Sequence, residues 1–203
     1  FPFQRYGANM LQRNLDGISP ETAANIFRWF PIGAAFITPF LGRFLDTKGK
    51  GASMLMWGAL LLIVCHLVFA FILPATHSQF IALATIVVLG ISFSLVPAAL
   101  WPSVPKIIDE KILGSAYCLI FWVQNIGPFF VPKLIGSVLA SVNADNPAVI
   151  AAKAAGAEFI PYDYTIPLII FAGFGVMALL IAIYLKVLDK KRNLGLELPN
   201  IEK

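Results

Sequence analysis

The sequence predicts an all-α polytopic membrane helical bundle, and three observations carry that prediction. Of the 203 residues, 59% are hydrophobic and 13% are charged, and the mean hydropathy is +0.81. A soluble domain carries about 25% charged residues, so this chain lacks the polar surface needed to cover a water-facing globule. Five apolar stretches, about 22–41, 52–73, 80–104, 113–140 and 164–185, each reach the roughly 20 residues that a bilayer-crossing helix requires. The lysines and arginines between them alternate from one side to the other, as they do in membrane proteins.

The elements follow in chain order. Residues 1–14 read as the end of a truncated transmembrane helix. The chain opens Phe1-Pro2-Phe3-Gln4-Arg5, with neither an initiator methionine nor the basic start of a signal peptide, and the expectation is a fragment of something longer. The span 22–41 carries Arg28, with Asn25 on the same face; the arginine either snorkels to headgroups or faces a cavity or the other half. A short loop, Gly42 to Gly51, separates it from the span 52–73, and Pro74 to Gln79 leads to the span 80–104. Pro97, Pro102 and Pro105 make the end of that span a flexing point, and Gly127-Pro128 and Pro132 predict a bend in the span 113–140.

The long connection 141–163 holds a helix start at Asn146-Pro147, since proline suits the first helical turn. It is a short surface helix that serves either as an insertion or as a lid. After the last span, 193–203 form a tail.

Arg43, Lys48 and Lys50 fall in the first inter-span loop, Lys106 and Lys111 in the third, and Lys186, Lys190, Lys191 and Arg192 after the last span. These regions share one side, read as cytoplasmic. Pro74 to Gln79 has no basic residue, and Ser141 to Asp163 has only Lys153.

Several classes are disfavoured. Nucleic acid is not an expected partner, because the bases sit at the ends of apolar runs and do not cluster on a soluble face. A transmembrane barrel would show ten-residue alternation of polar and apolar residues. Cys65 and Cys118 lie within apolar runs, His66 is alone in its span and His77 is in an outer link. Nothing resembles a nucleophile, an acid-base pair or a metal set, so the expectation is no enzyme, no metal and no cofactor.

The loop between the first two complete spans resembles the signature of the major facilitator superfamily. There a glycine, an aspartate four residues later, a glycine three further on and then a base link consecutive spans; here these are Gly42, Asp46, Gly49 and Lys50, while Thr47 stands where a base is common. Ala34, Thr38 and Gly42 form a small-residue stripe suited to helix contact in lipid. Asp46 can meet a helix amino terminus, where the macrodipole favours an anion, so these four residues are gating candidates. The stretches Leu89 to Leu95 with Ala99-Leu100-Trp101-Pro102, and Leu113 to Tyr117 with Gln124-Asn125-Ile126-Gly127, are similar to the tenth and eleventh helices of the major facilitator superfamily domain-containing protein 1 group.

That resemblance implies the second half of the fold, a truncated helix seven followed by helices eight to twelve, with an amino-terminal six-helix half as partner beside the bilayer. It further implies a secondary transporter of dipeptides, or of another small zwitterion or organic anion, working by alternating access. The rival is a non-transporting polytopic protein such as a receptor or assembly subunit. The membrane is expected to be a bacterial inner membrane, or else a lysosomal or plasma membrane, with the carboxy terminus cytoplasmic.

Substrate-binding candidates are Gln4, Arg5, Tyr6 and Asn9 at the end of helix seven, where Arg5 offers a planar fork for a carboxylate. To these are added Ser94 and Trp101 on one face of the tenth helix and Tyr117 and Gln124, seven residues apart, on one face of the eleventh. Lys133 points away from Gln124 on an ideal helix and either meets a substrate anion or reaches the headgroups. Ser94 and Trp101 serve equally as packing and interface anchor.

Overall fold

The computed structural model describes residues 3–15 and 17–200, with the side chains of Gln4 and Arg5 outside the described set. Eight α-helices, α1 to α8, account for most of these residues, and no strand occurs among them. The short α1 spans Gln4–Asn14, an 11-residue helix that is too short to cross a bilayer, for which roughly 20 residues are needed. Met10, Leu11 and Leu15 anchor it in the core.

The next helix, α2, runs Pro20–Lys48. Ser19 caps it by accepting the Thr22 N–H at 3.1 Å, and Pro20 supplies a pre-set φ at the first position. It ends at Gly49, whose φ of +75° is costly for any residue with a Cβ. The expected ten-residue loop is thereby corrected: Gly42 to Lys48 continue the helix, Leu45 is buried there, and only Gly49 and Lys50 link α2 to α3.

Helix α3, Gly51–Leu67, continues through a π-turn at Val68–Ile72 into the short α4, Leu73–Thr76. In the π-turn the Leu73 N–H reaches back to Val68, and the slip stands directly before Pro74, which has no N–H to continue the regular ladder. Helix α5, Gln79–Ser103, starts at a Ser78 cap. Helix α6 covers Leu113–Val142. The predicted surface helix is present as α7, Pro147–Ala154, capped by Asn146. Helix α8 runs Thr165–Arg192 and ends at Asn193 in the left-handed region.

Among the described residues, four helical segments are long and apolar enough to cross a membrane: 51–76, 79–106, 110–142 and 165–192. At 29 residues α2 has the length but not the apolarity, because its uncharged middle is framed by Arg28 on one side and Arg43 and Asp46 on the other.

Helix α2 runs parallel to α5, with Phe30 at Gly90 and Ala34 at Ser94, and α3 packs antiparallel against both α5 and α8. Small residues permit the close crossings. A Cβ on Gly90 would lie 3.0 Å from the Phe30 carbonyl oxygen, and one on Gly175 would lie 2.7 Å from Ile63. The larger core gathers Phe3, Phe30, Phe69, Ile86, Ile135 and Phe171, while a smaller one around Leu45, Met54 and Leu95 sits at the opposite end. Helix α6 is the loosest member. It buries only Ile135 and Leu139, and Trp122 and Phe129 are 68% and 73% exposed.

Candidate functional site

The membrane-length helices α3, α5, α6 and α8 line an open cavity of about 690 Å3, α6 contributing only Gln124. Leu62 from α3, Phe93 and Trp101 from α5, Gln124 from α6 and Ile181 from α8 are among its walls. Ser92 also reaches it, but its hydroxyl is committed to the Gly58 carbonyl at 2.7 Å. Beside the Trp101 indole N–H, a donor, the Gln124 amide is the polar side-chain group of a mostly apolar cavity, able both to donate and to accept. Such a chamber selects by shape and by a few oriented hydrogen-bonding groups.

Trp101 is held from behind. Its ring stacks on Phe121 at 4.7 Å between centroids and meets Tyr117 at 5.8 Å, and the Tyr117 hydroxyl donates to the Trp101 carbonyl at 3.1 Å. The proline-rich end of α5 and the start of α6 are thus fastened together beside the chamber. Of the candidates expected in pairs, Ser94 with Trp101 and Tyr117 with Gln124, the structure brings Trp101 against Tyr117 and lines the cavity with Trp101 and Gln124.

The other substrate candidates lie elsewhere. Ser94 is buried in the α2–α5 crossing, donating to the Gly90 carbonyl at 2.9 Å and the Ala34 carbonyl at 3.2 Å, which is the packing role. Tyr6 donates to the Pro132 carbonyl at 3.1 Å, and Asn9 accepts from Tyr164; both serve as bridges from α1 to later helices at the far end. Lys133 is exposed on α6. The side chains of Gln4 and Arg5 fall outside the described residues. His66 is a core residue, its ring 5.0 Å from Phe3 and 5.4 Å from Phe171, with Nδ1 2.8 Å from the Leu62 carbonyl. Among the described residues no group of three His, Cys, Asp or Glu is placed to hold a metal.

The gating candidates occupy the end of the bundle where the three basic regions meet. A methyl at Gly42 would find nothing within 4 Å, so the close helix approach expected there is not made within this chain. The Ala34 end of the same stripe is in contact, through Gly90 and Ser94. Asp46 meets no helix amino terminus. Its Oδ1 accepts from the Asn200 side-chain amide at 2.9 Å, and its carbonyl accepts the Asn200 N–H at 3.2 Å.

The amino terminus of α3, next along the chain, is filled by another carboxylate. Lys50 at its N-cap makes no side-chain cap, and Glu197 supplies one, accepting the Ser53 N–H at 2.8 Å and the Ser53 hydroxyl at 2.9 Å. An anion is favoured there by the unpaired N–H groups and the macrodipole. Lys50 itself stands 4.0 Å from Glu197.

The segment after α8 delivers these groups by folding back over the α2–α3 turn. Asn193 and Gly195 take positive φ, and buried Asp189 accepts the Leu196 N–H at 2.9 Å. Leu196 is buried and accepts the Gly51 N–H at 3.0 Å. Lys106 donates to the carbonyls of Gly195 and Leu198 at 3.1 and 2.7 Å, and Lys186 donates to Ser53 at 2.7 Å. Sequence reasoning missed this network, having treated 193–203 as a plain tail. Its legible signals were the turn residues Asn193 and Gly195 and one glutamate beyond a basic cluster.

The family description of the Major Facilitator Superfamily matches residues 8–199. The lysosomal dipeptide transporter MFSD1 of Homo sapiens is 29% identical over 141 residues, which cover 70% of this chain and 29% of the relative. The Danio rerio protein of that name is 31% identical over 123 residues, 61% of this chain and 25% of the relative. The Mus musculus protein is 30% identical over 141 residues, 70% and 29% respectively. The aligned part of this chain spans under a third of each of these relatives. No solved structure matches. With membrane-length helices, the glycine-aspartate turn and a family match over nearly the whole length, the chain belongs to the major facilitator superfamily.

Proposed function

We propose that the chain is the second half of a secondary transporter, carrying a small solute across a membrane by alternating access as two six-helix halves rock about a midplane site. In this reading α1 is the end of helix seven, and α2, α3 with α4, α5, α6 and α8 are helices eight to twelve, five spans in all. The basic end is cytoplasmic. An amino-terminal half of the same protein completes the site.

The observation that carries the reading is the chamber between α3, α5, α6 and α8, with the Gln124 amide set in an apolar and aromatic wall. A peptide bond is matched by an amide, which pairs with both its N–H and its C=O, and the Trp101 and Phe93 rings accept apolar side chains. Dipeptides are therefore the proposed substrate class, in keeping with the relatives' names. Tyr117 positions Trp101, and Asp46, Gly49, Lys50 and Gly42 belong to the gate. Arg5 and Lys133 are proposed to meet the charged ends of a zwitterion once the other half is in place. The proposed location is a bacterial inner membrane, with the lysosomal membrane named for the relatives as the alternative.

The test is uptake by the full-length protein in proteoliposomes, offering dipeptides, sugars and organic anions with and without a pH gradient. Saturable dipeptide uptake, competed by other dipeptides, is expected. Transport of another solute that dipeptides do not compete would remove the substrate class. No uptake of any solute would leave a receptor or assembly subunit.

A further inference from the structure

We propose that residues 194–200 are an autoinhibitory strap: while seated, they occupy the Asp46 carboxylate and the amino terminus of α3, and they must leave the α2–α3 turn before transport runs at full rate. The inference rests on the transport reading for its consequence, and on the contacts at the basic end for its seat.

The seat is specific. Asn200 holds Asp46 at two points, its side-chain amide on Oδ1 and its N–H on the carbonyl. Glu197 places both carboxylate oxygens on Ser53, and its carbonyl accepts the Lys50 N–H at 3.1 Å. Gly49 makes the approach feasible, since a Cβ there would overlap the backbone of Glu197 and Leu198. The two groups through which this turn would bind another anion or donor are thus already taken. A new donor at Asp46 Oδ1 must displace the Asn200 amide, and a new anion at α3 must displace Glu197.

The seat is also reversible in kind. Its contacts are almost all hydrogen bonds at the rim of the bundle, with Leu196 as the one buried apolar anchor, while Leu198 is 63% exposed. Segments held by few buried apolar contacts open locally at low cost, without global unfolding. The anchors are drawn from α2 (Asp46), α3 (Ser53), the turn after α5 (Lys106) and α8 (Asp189). A seated strap therefore ties four helix ends of this half together and covers the turn that would face the other half, so a state in which that half contacts Asp46 Oδ1 or the α3 terminus requires its release.

The deciding experiment uses the full-length protein in proteoliposomes, carrying Ser53→Cys and Glu197→Cys with Cys118→Ser, joined by a short disulfide-forming bifunctional thiol reagent. Uptake of dipeptide is expected to fall about tenfold or more on joining, because the released state is removed from the population, and to recover on reduction. Since the joined and reduced states are the same molecules, a folding defect cannot mimic the result. Asn200→Ala should raise the uptake rate and speed amide exchange at residues 49–53.

Joined protein that transports as fast as reduced protein overturns the inference, as does an Asn200→Ala protein with slower uptake and unchanged exchange. If the unsubstituted protein moves no solute, the transport reading fails and the inhibitory role falls with it. The seat is then judged separately by exchange: Glu197→Ala must accelerate Gly51, Ser53 and Leu196 together, and unchanged protection overturns it.

Discussion

The Tyr117 hydroxyl donates to the Trp101 carbonyl at 3.1 Å, and that carbonyl is one the helix cannot satisfy, because Pro105 four residues on has no N–H. The bond converts a proline defect at the end of α5 into a joint with α6. It also fixes one wall of the chamber, since the Trp101 ring lies between Tyr117 and Phe121. Tyr117→Phe keeps the ring and removes the bond. It is expected to lower stability by about 1 kcal/mol, read as an earlier thermal unfolding of the detergent-solubilised protein. Melting coincident with that of the unsubstituted protein would show the carbonyl satisfied by other means.

Gly90 and Gly42 predict opposite responses to the same small change. A methyl at Gly90 meets the Phe30 carbonyl oxygen at 3.0 Å, whereas a methyl at Gly42 meets nothing within 4 Å. Gly90→Ala should force α2 and α5 apart at a cost of about 1–3 kcal/mol. Gly42→Ala, within α2, should leave stability undiminished or raise it by up to about 1 kcal/mol, since glycine is a poor helix former. A drop in uptake by Gly42→Ala at undiminished stability would place the partner of Gly42 on the other half.

Gly49 links the turn to the strap. Its φ of +75° with ψ of −137° lies outside the left-handed helical well, in a region nearly confined to glycine, where a side chain costs about 1–3 kcal/mol, and a Cβ would overlap the strap backbone. Gly49→Ala should therefore expel residues 194–200, detected as faster proteolysis after Arg192 in the membrane-embedded protein. Cleavage at the original rate would mean that the turn absorbs the methyl by moving.

Gln124 tests the chamber. Gln124→Leu preserves bulk and removes both the donor and the acceptor, so dipeptide uptake is expected to lose about tenfold or more in kcat/KM, the scale at which a site built to hydrogen-bond rejects a mismatch being larger still. Gln124→Asn should retain part of the activity. Equal uptake by the leucine protein would move recognition away from this chamber.

Much of this could be read from residue order. The helical class, the positions of α3, α5, α6 and α8, and the surface helix α7 follow from run length, apolarity and the Asn146-Pro147 start, all local properties. Helix periodicity paired Ser94 with Trp101 and Tyr117 with Gln124, but the meeting of Trp101 with Tyr117 across α5 and α6 came from the tertiary structure. The extension of α2 through Lys48 was not legible, because charge and glycine at Gly42 to Lys48 read as loop chemistry while burial of Leu45 favours helix. Ser94 illustrates another limit: its face was predictable, but whether that face met a cavity or a backbone depended on α2, sixty residues away.

The sequence alone determined that this chain forms helices for a bilayer, because apolar length and charge placement are summed along the chain. Which polar groups neutralise each other was decided by the tertiary structure. Asp46 is paired with Asn200 rather than with a helix end, and the α3 terminus takes Glu197. Partners so far apart in the chain are chosen by where the packed helices place their ends, and by the need to satisfy N–H groups that α3, with Lys50 at its N-cap, cannot cap locally.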